Sequence, residues 1–211
     1  MIKIFHTRLS PPIPAKRLAE YLEDLPFPLQ HKIRRYRKTE DLQRVLLGKL
    51  LLRHGLQELC PALADLNLVK YSKTGKAFLQ GAPQFNLSYA GEYLLCAFHT
   101  EGQIGIDIEQ IRPIDLDDYP FLFQGEVFRA IRQAADPAGA FFENWTIREA
   151  ILKAEGCGAT EEAKHIVVKN GEATFKGEQW YYQPVPVASG YLAYFATDFL
   201  AKDILIEELR F

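Results

Sequence analysis

Three carboxylates and one lysine set the chemistry open to this chain. Asp107 and Glu109 stand two apart in Gly105-Ile106-Asp107-Ile108-Glu109, and Glu149 stands four before Lys153 in Trp145-Thr146-Ile147-Arg148-Glu149-Ala150-Ile151-Leu152-Lys153. Residues i and i+2 of a strand share a face, so the first two acids point one way while Ile104, Ile106 and Ile108 point the other. Residues i and i+4 of a helix share a face, which sets Glu149 beside Lys153 and one turn beyond Trp145. Magnesium is commonly held by one or two carboxylates with substrate phosphates completing its octahedron, and a lysine supplies a point charge for phosphate. The set therefore suggests a magnesium site built for phosphate chemistry. Taken singly, each segment has a plainer reading: a wet strand face, and a surface Glu-Lys pair contributing about 0.2–0.5 kcal/mol.

The surrounding spellings decide between these readings. Phe85-Asn86-Leu87-Ser88-Tyr89, then Gly105 to Glu109, then Trp145 to Ala150 ending at Lys153 follow one another in order, with Thr74-Gly75-Lys76 upstream. In these motifs the chain resembles the 4'-phosphopantetheinyl transferases, in particular the monomeric subfamily that activates nonribosomal peptide synthetases such as surfactin synthetase. The resemblance runs from about residue 1 to 200. Relatives carry a histidine where Tyr89 stands, a lysine at Arg148, a proline at Ala77 and another lysine near Leu29. A neutral phenol in place of the histidine implies weaker coenzyme A phosphate binding.

The resemblance implies an α+β fold of two similar halves with the active site between them, 1–102 binding coenzyme A and 103–211 carrying the metal site and docking the carrier protein. It implies magnesium-dependent transfer of the 4'-phosphopantetheine arm of coenzyme A to a serine of an apo acyl or peptidyl carrier protein, releasing 3',5'-ADP. Asp107, Glu109 and Glu149 are the implied ligands for Mg2+, which Mn2+ could replace in vitro. The implied catalytic residues are Glu149 as base, Glu109 as second choice, and Lys153 neutralising the pyrophosphate. Coenzyme A contacts carry over to Lys32, Arg44, Lys76, Ser88 and Tyr89, with Asp107, Glu149 and Lys153. The partner is expected to be an acidic helical carrier, docking near 111–128 where Tyr119, Phe121, Leu122 and Phe123 could anchor it, although a run of that spelling reads at least as well as packing inside the second half. A homologue that binds carrier protein and coenzyme A without turnover is the alternative.

Composition sets bounds on these expectations. A chain of 211 residues, 48% hydrophobic, can bury a sizeable core in one large domain or two small ones. A net charge of −2 argues against general nucleic-acid affinity, although Lys32, Arg34, Arg35, Arg37 and Lys38 fall close together. No run is long enough to span a membrane and the apolar stretch near Met1 is too short for a signal peptide, so a cytoplasmic location is expected. Cys60, Cys96 and Cys157 lie far apart and read as reduced packing residues. A P-loop, a dinucleotide fingerprint, zinc-ligand spacing and a nucleophile elbow are all missing from the sequence, so Ser88 reads as a hydrogen-bond donor to phosphate.

These side chains need elements to hold them. A strand is expected over Ile2 to Arg8, a helix over Ala15 to Glu23, and a helical region from Leu29 to Leu59 broken near Thr39, whose Thr39-Glu40-Asp41 suits an N-cap. Strands are expected at 67–71, 84–87, 93–98 and 103–108, and later at 164–169, 179–183, 191–196 and near Ile204. Asp136-Pro137 opens a helix and Gly156 closes it, placing Glu149 and Lys153 in its last turns.

Overall fold

The computed structural model describes residues 1–211. The first part of the chain forms β1 (Ile2–Arg8), α1 (Ala15–Glu23), α2 (Phe27–Ile33), α3 (Thr39–Leu59), β2 (Lys70–Tyr71), β3 (Ala77–Phe78), β4 (Gln84–Ala90) and β5 (Tyr93–His99). The second forms β6 (Ile104–Gln110), α4 (Gly125–Gln133), α5 (Pro137–Glu155), β7 (Val167–Lys169), β8 (Glu172–Phe175), β9 (Glu178–Pro184), β10 (Tyr191–Thr197) and β11 (Ile204–Glu208). One sheet has the order β11-β1-β5-β4, a second the order β6-β10-β9-β8-β7, and β2 pairs with β3 alone. The fold is α+β, with strands and helices clustered along the chain.

Alternation within the strands builds the layers. In β5, Leu94, Cys96 and Phe98 pack under α3 with Leu46, Leu50 and Leu51, while Leu95 and Ala97 turn the other way. Those two residues join Ile2 and Ile4 of β1 against Ile104, Ile106 and Ile108 of β6 and Phe195 of β10. The two sheets thus share an apolar layer, with α3 over the first sheet. Over the second, α5 buries Ile147, Ile151 and Ala154 against Phe175, Trp180 and Ala196. Fully burying one such side chain stabilises by about 1.5–3 kcal/mol.

Helix α5 begins and ends where its sequence requires. The Asp136 carboxylate accepts from the Gly139 N–H at 3.0 Å, Pro137 takes the first helical position, and Gly156 closes the helix at φ 86°. The helix also lies unusually close to β6. A Cβ on Gly105 would fall 2.0 Å from the Ala150 carbonyl oxygen and 2.3 Å from the Ala154 nitrogen. Only glycine allows that approach, and it sets the Asp107 and Glu109 face against α5.

Several details differ from expectation. Thr39 lies inside α3 and Lys38 occupies the cap position without a side-chain bond, so the acids of the first turn offset the helix dipole unaided by a cap. The strand expected at 67–71 shrinks to β2 behind a turn of 3-10 helix at Leu66–Leu68, whose first amides are met by Asp65. Residues Thr160–His165 form another 3-10 segment, leaving only β7 of the strand expected there. Strand β8 was not foreseen. The last strand, β11, runs parallel to β1 in the first sheet, pairing Ile2 with Ile204.

Candidate active site

Strand β6 and helix α5 bring their charged residues together, and β4 adds a hydroxyl. The Lys153 ammonium lies 2.6 Å from Asp107 Oδ1 and 3.0 Å from Ser88 Oγ, and Ser88 donates to the same Asp107 oxygen at 2.8 Å. The Asp107 side chain is only 7% exposed. Its other oxygen, Oδ2, has no hydrogen-bond partner, and neither has Glu149 Oε1. Buried carboxylate oxygens left this way are costly, and a cation is the group that would satisfy both.

Charge repulsion marks the same spot. Burial pushes the Glu149 carboxyl above its ordinary range, and the nearby Asp107 and Glu109 push it further, against the pull of Lys153. Glu109 is raised by burial and by Asp107, with Trp145, Arg112 and Lys153 opposing. Its Oε1 accepts from the Trp145 indole at 3.1 Å, and Arg112 lies 4.0 Å from Oε2. The three acids share one region, but they do not converge into a close three-ligand cluster. Asp107 and Glu149 supply the unpartnered oxygens, and Glu109 is turned toward Trp145. An anionic, buried, oxygen-only donor set of this kind fits a hard divalent cation.

The remaining coenzyme A candidates fall on both sides of this centre. Arg44 of α3 lies over the Tyr89 ring at 4.3 Å and pairs with Asp41, and Tyr89 is 53% exposed. Lys76 lines a cavity of about 300 Å³ together with Thr74, Asn86, Glu149 and Lys153. Its ammonium donates to the Ala154 carbonyl and, at 3.1 Å, to Gln103 Oε1. Burial lowers its pKa to about 8, with Asp198 and Glu155 opposing. Lys76 is therefore tied to the end of α5. Lys32 is exposed on α2 and its side chain has no ion pair.

Arg148, next to Glu149, turns away from the site. It is buried, donates to the Asn144 carbonyl at 3.1 Å and to Asn144 Oδ1 at 3.0 Å, lies over the Phe123 ring, and is lowered to about 10 by burial. The expected docking run is also only partly at the surface. Leu122 and Phe123 are 3% and 4% exposed, packed with Ile131, Phe141 and Phe142, and the Tyr119 ring leans on Phe141. Phe121 alone of the run stands well out, at 56%. A stretch rich in aromatics without polar alternation fills a small core before it offers an interface. Sequence reasoning missed two groups at the site, the Trp145 indole and the Asn86 amide. Both had a positional signal, four residues before Glu149 and two before Ser88.

The chain is similar to known proteins. A family model described as the 4'-phosphopantetheinyl transferase superfamily matches residues 103–191, which hold Asp107, Glu109, Glu149 and Lys153. The chain is 30% identical over 186 residues to 4'-phosphopantetheinyl transferase psf-1 of Bacillus pumilus, covering 83% of this chain and 79% of that one. It is 26% identical over 163 residues to 4'-phosphopantetheinyl transferase Sfp of Bacillus subtilis strain 168, covering 74% and 71%. It is 33% identical over 126 residues to 4'-phosphopantetheinyl transferase gsp of Aneurinibacillus migulanus, covering 59% and 53%.

Proposed function

Since the chain belongs to the 4'-phosphopantetheinyl transferase superfamily, we propose that it moves the phosphopantetheine arm of coenzyme A onto a serine of an apo acyl or peptidyl carrier protein, releasing 3',5'-ADP. The observation that carries this reading is the meeting of Asp107, Glu149, Lys153 and Ser88 at the junction of the two sheets. Asp107, Glu109 and Glu149 would hold Mg2+, or Mn2+ in vitro. That ion would supply Lewis-acid polarisation of the phosphorus and neutralise pyrophosphate charge.

The protein's own groups do the rest. Glu149, its basicity raised by burial and by two neighbouring acids, takes the proton from the carrier serine; Glu109 is the second choice. The serine oxygen forms a bond to the phosphorus that carries the pantetheine arm. The bond from that phosphorus to the bridging oxygen breaks, and its electron pair departs with 3',5'-ADP. Lys153 stays beside the leaving phosphate and balances its charge. Such transfers ask mainly for positioning and electrostatic stabilisation, with a placed base contributing about 10²–10⁴-fold.

Residues 1–102 would form the coenzyme A half and 103–211 the metal and carrier half. Lys32, Arg44, Lys76, Ser88 and Tyr89 would meet the nucleotide and its phosphates. The exposed Arg34 and Arg35 on the short stretch after α2 suit an acidic carrier, and Phe121 is the apolar residue available to anchor it. No helix is long and apolar enough to cross a membrane. We take the protein to act as a cytoplasmic monomer without nucleic acid.

The test is intact-mass spectrometry of an apo acyl carrier and an apo peptidyl carrier incubated with the protein, coenzyme A and magnesium, with an EDTA control. A metal-dependent gain of one phosphopantetheine arm is expected. Coenzyme A binding without any gain on either carrier would instead support the non-catalytic homologue.

A further inference from the structure

We infer that Asn86 is a positioning residue of the transfer site, fixing the carboxylates of β6 in register with Ser88 of β4. Strands β4 and β6 are each the edge of a different sheet, yet they lie side by side at the centre of the molecule. An edge strand presents N–H groups with no ladder partner, and such a group is costly when buried. Strand β6 pairs with β10 on one side only, and Ile106 is fully buried. Asn86 Oδ1 accepts the Ile106 N–H at 3.0 Å, two residues before Ser88 Oγ reaches Asp107 Oδ1. Alternation along β4 puts Asn86 and Ser88 on one face, toward the second sheet. Side chains thus do here what backbone ladders do elsewhere.

The amide has one orientation available. A backbone N–H needs an acceptor, so the oxygen must face Ile106 and the NH2 group is the part left free. That group has no protein partner, and Asn86 borders the same cavity as Glu149 and Lys153. Losing the oxygen would release β6 at the residue next to Asp107. The metal ligands, the base and Ser88 would then no longer share a fixed frame.

The inference rests on the transfer reading, and the experiment separates the two. Asn86→Ala and Asn86→Asp are compared with the unaltered chain in single-turnover transfer, in coenzyme A binding by calorimetry, and in amide hydrogen exchange over 104–110. The aspartate keeps an oxygen that accepts from Ile106, while bringing a further negative charge. For Asn86→Ala the expected result is transfer slowed about 10²-fold, coenzyme A affinity changed less than about threefold, and faster exchange at Ile106. Asn86→Asp should keep the exchange protection and recover about tenfold of the lost rate. Faster exchange with an unchanged rate in Asn86→Ala would overturn the inference. So would equal slowing in both variants with Ile106 still protected in the aspartate, since the free NH2 would then be the group that matters. Should Asn86→Ala fail to fold, protection and rate in Asn86→Asp decide. An unaltered chain that transfers nothing overturns the transfer reading instead, and the Asn86 variants would then alter exchange alone.

Discussion

The two long helices sit on their sheets in different ways. Along α3, a Cβ on Gly48 would meet the side chains of Leu87 and Leu94 at 3.6 and 3.7 Å, ordinary contact, and one on Gly55 would run into the Phe98 ring. The helix rides on side chains. Along α5 the contact at Gly105 is with main chain, the Ala150 carbonyl and the Ala154 nitrogen. That half also buries Arg148 and Thr146 and turns Glu149 and Lys153 toward β6. The first half is an apolar helix-on-sheet layer with Arg44 and the exposed Tyr89 at its rim. The second clamps a charged helix onto a charged strand, so that groups that repel one another are held together.

Four experiments test this contrast. The largest effect belongs to the clamped half: Glu149→Gln should lower transfer by about 10²–10⁴-fold at saturating magnesium, and near-normal turnover would remove Glu149 as base. Next is packing. Gly105→Ala should destabilise by about 1–3 kcal/mol or more in urea unfolding, because the helix backbone itself must move. Gly48→Ala, with room for its methyl, should gain up to about 1 kcal/mol from helix propensity. If both glycines behaved alike, the distinction between side-chain and main-chain contact would be lost.

A smaller effect is expected at the rim. Tyr89→His should tighten coenzyme A binding about fivefold below the histidine pKa, the gain of a charge-assisted over a neutral hydrogen bond; calorimetry showing no gain would discard that explanation. The smallest effect is in pH dependence. A carboxyl raised in the folded state binds protons more readily than in the unfolded chain, so its ionised form costs stability at neutral pH. In EDTA, Glu149→Gln should therefore melt above the unaltered protein at pH 7.5. The gap should close as the pH falls through the raised value toward the ordinary 4.5. A gap that widened on acidification would reverse the sign assigned to Glu149.

What the sequence made legible was local. Strand β1 and helix α1 have the bounds that their patterns predict, Asp136-Pro137 and Gly156 mark α5, and the two-residue spacing puts Asp107 and Glu109 on one face. What covers that face was not legible, because it depends on a missing Cβ at Gly105 meeting a helix more than forty residues away. The same holds for Lys76, whose ammonium bonds to the Ala154 carbonyl, a partner no local pattern names. Leu122 and Phe123 read as docking anchors or as core alike, because spelling does not reveal which of four apolar neighbours the core will take. Strand β8 is only four residues long and lies between two tight turns, Asn170-Gly171 and Lys176-Gly177, all four residues at positive φ; the Asn-Gly pair is a hairpin signal, but the strand it announces is too short to show an alternating pattern.

Strand β11 has a consequence for how the chain is made. In the first sheet β1 lies between β5 and β11, so one flank of β1 is completed by residues 204–208. On the ribosome, β1 is made before β5 and before all of the second sheet, and β10 must follow before that partner arrives. Contacts so distant in sequence slow folding and leave a strand edge open to wrong pairing meanwhile. The N-terminal sheet thus closes late in synthesis, after the strand and helix that carry the acids have been made.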